Sequence, residues 1–232
     1  MHLHPATLDS VSIFATLVAA FVSLLAWYRH RDAGALPSWA AALVLGSAGT
    51  LLFSLRSPET SAAIFVTADI LCVASFATMW VSMRRFNSDG ISPLRMATVV
   101  VAITAAFALA VTFSWQLGSA LRAQSLVFSL FVGALALATA AETRRGGRHD
   151  GLQSRHIAAV ALTGIALARL IRVGMLGLDW WNIVEPQTAD VAWHYGIYFS
   201  TVCVLVVTFG LVLMANERAE HQLARQIDAR HG

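Results

Sequence analysis

Two charged side chains stand inside stretches that are otherwise apolar, Asp69 in one and Arg169 in another. Each lies about eight residues inside its stretch, which at roughly 1.5 Å rise per residue is about 12 Å below the surface at one end. They are matched in depth and opposite in sign. A charge held in hydrocarbon is costly and survives only with a partner or a task, so two chemistries are open. One is an ion pair that ties two helices together. The other is a ligand site in which Arg169, or Arg172 one turn away, offers planar paired donors to an anionic or carbonyl-bearing molecule. Trp193, His194, Tyr195 and Tyr198 fall at comparable depth in a third stretch, and Trp181 in the segment before it. Together these groups would line one cavity, with Trp180 and Trp181 serving either as interfacial anchors or as part of a lid. His194 could titrate between about pH 5 and 8. A copper or zinc site joining it to His2 and His4 has no carboxylate or cysteine at ligand spacing to support it.

The elements that must position these residues are apolar spans. The chain has 232 residues, 57% hydrophobic and 12% charged, too little polar surface to cover a soluble globule of that size. Seven stretches are long enough to cross a bilayer as helices: Ser10–Tyr28, Leu36–Leu55, Ser61–Met83, Met96–Trp115, Ala120–Ala141, Ile157–Leu176 and Val191–Ala215. The expected fold is an all-α, seven-transmembrane helix bundle in contact with the lipid bilayer. All 16 basic residues are arginine. Those in alternate gaps and the tail, Arg29, Arg31, Arg84, Arg85, Arg95, Arg144, Arg145, Arg148, Arg155, Arg218, Arg225 and Arg230, contrast with Arg56 and Arg122 on the other side. Arginine-rich short loops stay cytoplasmic, which places the N-terminus outside, the C-terminus inside, and the Asp69–Arg169 level in the outer half. The net charge of +3 reflects this sorting and does not argue for nucleic acid. The first stretch has its arginines after it, as a retained anchor does and a cleaved signal does not.

Residues 1–215 read as one bundle, with no internal repeat of the kind many transporters carry. Gly46, Gly49, Gly133, Gly164 and Gly210 permit close helix approach. Cys72 and Cys203 behave as small apolar residues. Residues 216–232 are rich in helix formers, so the last span continues as a connector helix. In it Asn216, Glu217 and Arg218 lead out of the membrane, while Ala219, Leu223 and Ile227 mark a narrow seam for a second copy, making a homodimer the expected assembly. With no lysine there is no Schiff base for a retinal pigment; phosphate loops, HExxH and CxxC pairs are missing too. No catalytic motif is expected, and no cofactor is indicated.

Three segments carry a specific likeness. Trp39-Ala-Ala-Ala-Leu-Val-Leu-Gly46-Ser-Ala-Gly49-Thr-Leu-Leu-Phe-Ser-Leu-Arg56 resembles the second helix of the multi-span membrane region at the N-terminus of many bacterial diguanylate cyclases. In that group the third helix carries an Ala-Asn pair and closes with Arg-Arg-Phe; here Ala68-Asp69 and Arg84-Arg85-Phe86 stand in those places. The segment Phe209-Gly-Leu-Val-Leu-Met214-Ala-Asn216-Glu217-Arg218, followed by Leu223-Ala224, is similar to the exit helix that leads into the GGDEF catalytic domain. Asp69 in place of asparagine strengthens the case for pairing with Arg169. The sequence stops at Gly232, before any GGDEF signature, so the resemblance implies either a sensor fragment or a protein acting through a partner.

The function this implies is a membrane sensor in a bacterial inner membrane. A small ligand in an outer-leaflet cavity would shift the last helix and set the output of a cytoplasmic domain that makes cyclic di-GMP. A small transporter, a haem or metal redox protein, and a purely structural anchor and dimeriser are the alternatives.

Overall fold

The computed structural model describes residues 5–29, 31, 34–55, 62–88, 92–115, 120–150, 154–180 and 186–231. These form seven helices, α1 (Pro5–Arg29), α2 (Leu36–Ser54), α3 (Ala62–Asn87), α4 (Pro93–Ser114), α5 (Ala120–Asp150), α6 (Ser154–Trp180) and α7 (Pro186–His231). Each contains a window long and apolar enough to cross a membrane. The helices begin where local chemistry allows. Pro93 stands in the first turn of α4, where its missing N–H costs nothing, and the Ser92 side chain accepts from the Arg95 N–H.

Most helices outrun the apolar spans that announce them, α5, α6 and α7 furthest. The arginine-bearing segment after the fifth span continues α5 to Asp150. The segment expected as a loop over Gly177–Asp190 is largely helical, with α6 reaching Trp180 and α7 beginning at Pro186. Hydropathy registers what lipid accepts, while a helix stops only where its backbone is broken or capped; no proline stands between Ala141 and Asp150, and α5 runs through Gly146 and Gly147. Beyond the last span, α7 runs on as one 46-residue helix to His231.

Neighbouring helices pack in the order α1, α2, α3, α5, α6, α7 and back to α1, while α4 lies against α3 and α5. Six helices thus form a closed ring with α4 on its flank. Large apolar side chains such as Phe14, Leu94, Leu109 and Phe113 point outward and are exposed, as suits helices whose solvent is hydrocarbon. Small residues bring helices close inside the ring. A Cβ at Gly49 would sit 2.6 Å from Cys72 Sγ and 3.0 Å from the Ala68 carbonyl oxygen, and one at Gly46 would sit 2.9 Å from Ser75 Oγ. The α2–α3 contact therefore depends on both glycines. Cys72 and Cys203 are both free thiols.

Candidate functional site

Asp69 and Arg169 are both buried, at 5% and 7% exposure. Cys72, one turn along α3 from Asp69, shares the lining of a central cavity with Arg169, so the two charges belong to the same region of the bundle. The depth match read from the sequence therefore corresponds to proximity in space. Asp69 Oδ2 accepts a 2.6 Å hydrogen bond from Gln124 Nε2. Gln124 Oε1 in turn accepts from the Trp115 indole N–H at 3.4 Å. Trp115 at the end of α4, Gln124 on α5 and Asp69 on α3 form one polar chain, which leads by charge to Arg169 on α6. Gln124 was not among the expected site residues. A glutamine inside an otherwise apolar span is the signal that would have found it, and its side chain is buried.

On α6, Arg169 packs close against α5. A Cβ at Gly133 would lie 3.4 Å from Arg169 Cβ, and the guanidinium then lies over the Phe128 ring, 5.5 Å from its centroid. There it borders the central cavity, of about 80 Å³. Its polar lining is Thr16, Thr50, Cys72, Ser75, Ser200 and Thr201 besides Arg169. Phe53, Phe76, Met79 and Phe128 supply apolar wall. Arg169 is the one charged residue among the described lining.

The other expected site residues are placed differently. On α7 the inward stripe is Ile197, Ser200, Thr201 and Val204, whose spacing is that of one helix face. Tyr195 and Tyr198 are 66% and 43% exposed on the bundle exterior and do not line the cavity. The expected convergence of these tyrosines on one cavity with Arg169 is corrected accordingly: the helical phase of α7 turns them outward. Arg172 is half-buried and is not part of the cavity lining. Trp181 and the side chains of His194, Leu223 and Ile227 lie outside the described residues. At the same end of the bundle as Trp115, Arg122 Nε meets Asp179 Oδ2 at 3.4 Å, joining α5 to α6.

A second polar cluster occupies the opposite, arginine-rich end, where α7 leaves the bundle. Arg155, expected as a loop arginine, is 2% exposed. Its Nη1 donates to Asn87 Oδ1 at 2.7 Å and to the Thr143 carbonyl at 3.3 Å. Asn87 Nδ2 donates to the Glu142 backbone carbonyl at 2.7 Å and to its Oε1 at 3.2 Å. The Arg155 and Arg218 guanidiniums both lie over the Phe86 ring, 5.4 and 5.1 Å from its centroid, and Arg218 Nη1 also donates to the Phe86 carbonyl at 3.0 Å. Ser154 Oγ donates to Glu217 Oε2 at 2.9 Å. Glu217 and Arg218, two of the expected output residues, are therefore fastened to α6 and α3. Asn216 beside them is half-buried.

Comparison with protein-family models, with curated proteins and with solved structures found no match to this chain.

Proposed function

We propose that this chain is a membrane-embedded sensory domain that regulates a cytoplasmic output domain, by resemblance a diguanylate cyclase. In this reading the N-terminus is outside, the C-terminus is in the cytoplasm, and the membrane is a bacterial inner membrane. The observation that carries it is the fastening of Arg218 to Phe86. A helix that only anchors needs no polar tether at its point of exit, whereas one that transmits needs a joint between its projecting part and the body that receives the signal. Phe86 ends the Arg-Arg-Phe segment and Arg218 lies in the exit segment, so two of the three stretches on which the resemblance rests meet here. A ligand acts through such a joint only by binding its two arrangements differently. Beyond the joint, a second copy would pair along Ala219, Leu223 and Ile227 and bring two output domains together.

The test is a fusion of residues 1–230 to a GGDEF catalytic domain deprived of its own membrane region, with cyclic di-GMP measured in cells. Phe86→Leu and Arg218→Gln should shift output at equal protein abundance. If both variants match the parent, and replacing the bundle by an unrelated single span leaves output intact, the chain is an anchor.

A further inference from the structure

On the flank of the ring, α4 rests on α3 more broadly than on α5, and the three helices leave a groove of about 470 Å³ between them. Ala134 and Ala138 of α5 supply little bulk there, and Trp80, Ile103, Leu130 and Phe131 stand around them. Every described lining residue is apolar or aromatic, and Leu130 and Ala134 are exposed. The groove therefore opens toward lipid and takes hydrocarbon. It shares no described residue with the central cavity.

A cation stands at the arginine-rich end of this groove. Arg84 follows Trp80 by one turn on the same face of α3, and its guanidinium lies over the Trp80 ring, 5.2 Å from the centroid. The hydrogen bond from Asn87 Nδ2 to the Glu142 carbonyl sets the level of α3 against α5. Counting back from it at roughly 1.5 Å per residue puts Trp80 beside Leu135, which also lines the groove, and Arg84 beside Thr139, just past Ala138. Arg84 is exposed, and among the described residues no carboxylate pairs with it. Glu142, on the neighbouring stretch of α5, accepts from Asn87 and meets Arg145 at 3.8 Å. A cation held over a ring commits none of its N–H donors to that contact as hydrogen bonds, so Arg84 keeps a planar fork of the kind that grips phosphate.

Hydrocarbon beside a cation defines the occupant. A zwitterionic lipid would bring its own positive group to Arg84 and lose much of the attraction, whereas an anionic one brings net negative charge. A second copy of the chain, related by an axis along the membrane normal, would carry its own Arg84 at the same level and set like charges against each other. We infer that the groove between α3, α4 and α5 binds an acyl chain of an anionic phospholipid from the leaflet at the arginine-rich end, with Arg84 holding the phosphate. The lipid site does not depend on the sensor reading, and failure of either leaves the other standing.

The test uses the whole chain in phosphatidylcholine nanodiscs with a trace of photoreactive lipid, either phosphatidylglycerol or phosphatidylcholine, each carrying a diazirine midway along one acyl chain. Crosslinked residues are mapped by mass spectrometry. At equal mole fraction the phosphatidylglycerol probe should label Ile103, Leu130 or Phe131 about fivefold more than the phosphatidylcholine probe, as expected for one arginine near a membrane surface. Phe14 and Phe21 on α1, exposed and away from the groove, should be labelled alike by both probes and serve as the reference. Arg84→Gln should bring groove labelling by phosphatidylglycerol down to the phosphatidylcholine level. Arg31→Gln removes an equal charge that also lies over aromatic rings, those of Trp27 and Tyr28 at the end of α1, and should change nothing in the groove. Ala134→Phe, a substitution at an exposed position, fills the groove and should lower labelling of Leu130 and Ile103 by both probes. Equal groove labelling by the two heads in the parent chain would overturn the assignment, as would equal losses from Arg84→Gln and Arg31→Gln, which would mean general surface charge. A groove labelled by neither probe, as when a second copy covers it, would overturn it as well.

Discussion

Arg155 and Arg218 share one aromatic ring: both guanidiniums lie over Phe86, at 5.4 and 5.1 Å from its centroid. The two arginines come from α6 and α7 and the ring from α3, so three helices close on one side chain. Each cation over a desolvated ring is stabilised by about 0.5–2 kcal/mol. Phe86→Leu keeps apolar volume and removes the quadrupole. It should lower the free energy of reversible unfolding in mixed micelles by about 1–4 kcal/mol, and it should raise protease cleavage near residue 218. A variant as stable as the parent would show that the ring acts by volume alone.

Gly146 is required by the same cluster. A Cβ there would fall on the Arg155 guanidinium and Asn87 Oδ1, with Arg155 Cζ at 2.6 Å. Alanine favours a helix over glycine by about 1 kcal/mol, so the sign of the effect tells which term wins. Gly146→Ala should destabilise by about 1–3 kcal/mol, since overpacking must move a buried, hydrogen-bonded arginine. At Gly174 on α6 an added Cβ meets nothing within 4 Å, and Gly174→Ala should be neutral or stabilising by up to about 1 kcal/mol. Equal effects at the two sites would remove the steric account.

The contact of α2 with α3 predicts a coupling. Gly49→Ala forces a methyl toward Cys72 Sγ and the Ala68 carbonyl. Trimming the sulfur with Cys72→Ala should recover part of the loss but not all of it, because the carbonyl belongs to the backbone. A double-mutant cycle on unfolding free energies should give a favourable coupling on the order of 1 kcal/mol. Strict additivity would mean that α2 moves away as a body.

Orientation is checked by labelling. In a background with Cys72→Ala and Cys203→Ala, Leu55→Cys and Ser88→Cys place exposed thiols at opposite ends of the bundle. An impermeant maleimide applied to intact cells should modify the first, and should modify the second only after lysis. The reverse pattern would invert the arginine-based topology.

The spans, and Asp69 and Arg169 within them, were legible because a charge in an apolar run stands out whatever the fold. Arg155 was not, since in sequence it is one more arginine in a positively charged gap, and only the packing of α3, α5 and α6 makes it a buried one. The outward position of Tyr198 was not legible for another reason. Polar groups stand on more than one face of α7, Tyr195 and Tyr198 outward and Ser200 and Thr201 inward, so polarity alone does not set its rotational phase. The inward face at Ile197, Ser200, Thr201 and Val204 emerges only against neighbouring helices.

Asp69→Asn separates charge from hydrogen bonding. The amide oxygen of asparagine still accepts from Gln124, so the 2.6 Å contact can persist, and what is lost is the negative charge facing Arg169. Removing one member of a buried charge pair costs about 3–5 kcal/mol, because the other is left uncompensated. Gln124→Leu, which deletes the hydrogen bond and keeps the charge, should cost about 1–3 kcal/mol. Asp69→Asn combined with Arg169→Gln should cost clearly less than the sum of the two single changes, since the double variant buries no net charge. Asp69→Asn losing no more than Gln124→Leu, together with additivity in the double variant, would show that solvent or lipid head groups already neutralise Arg169 and that Asp69 serves only as a hydrogen-bond acceptor.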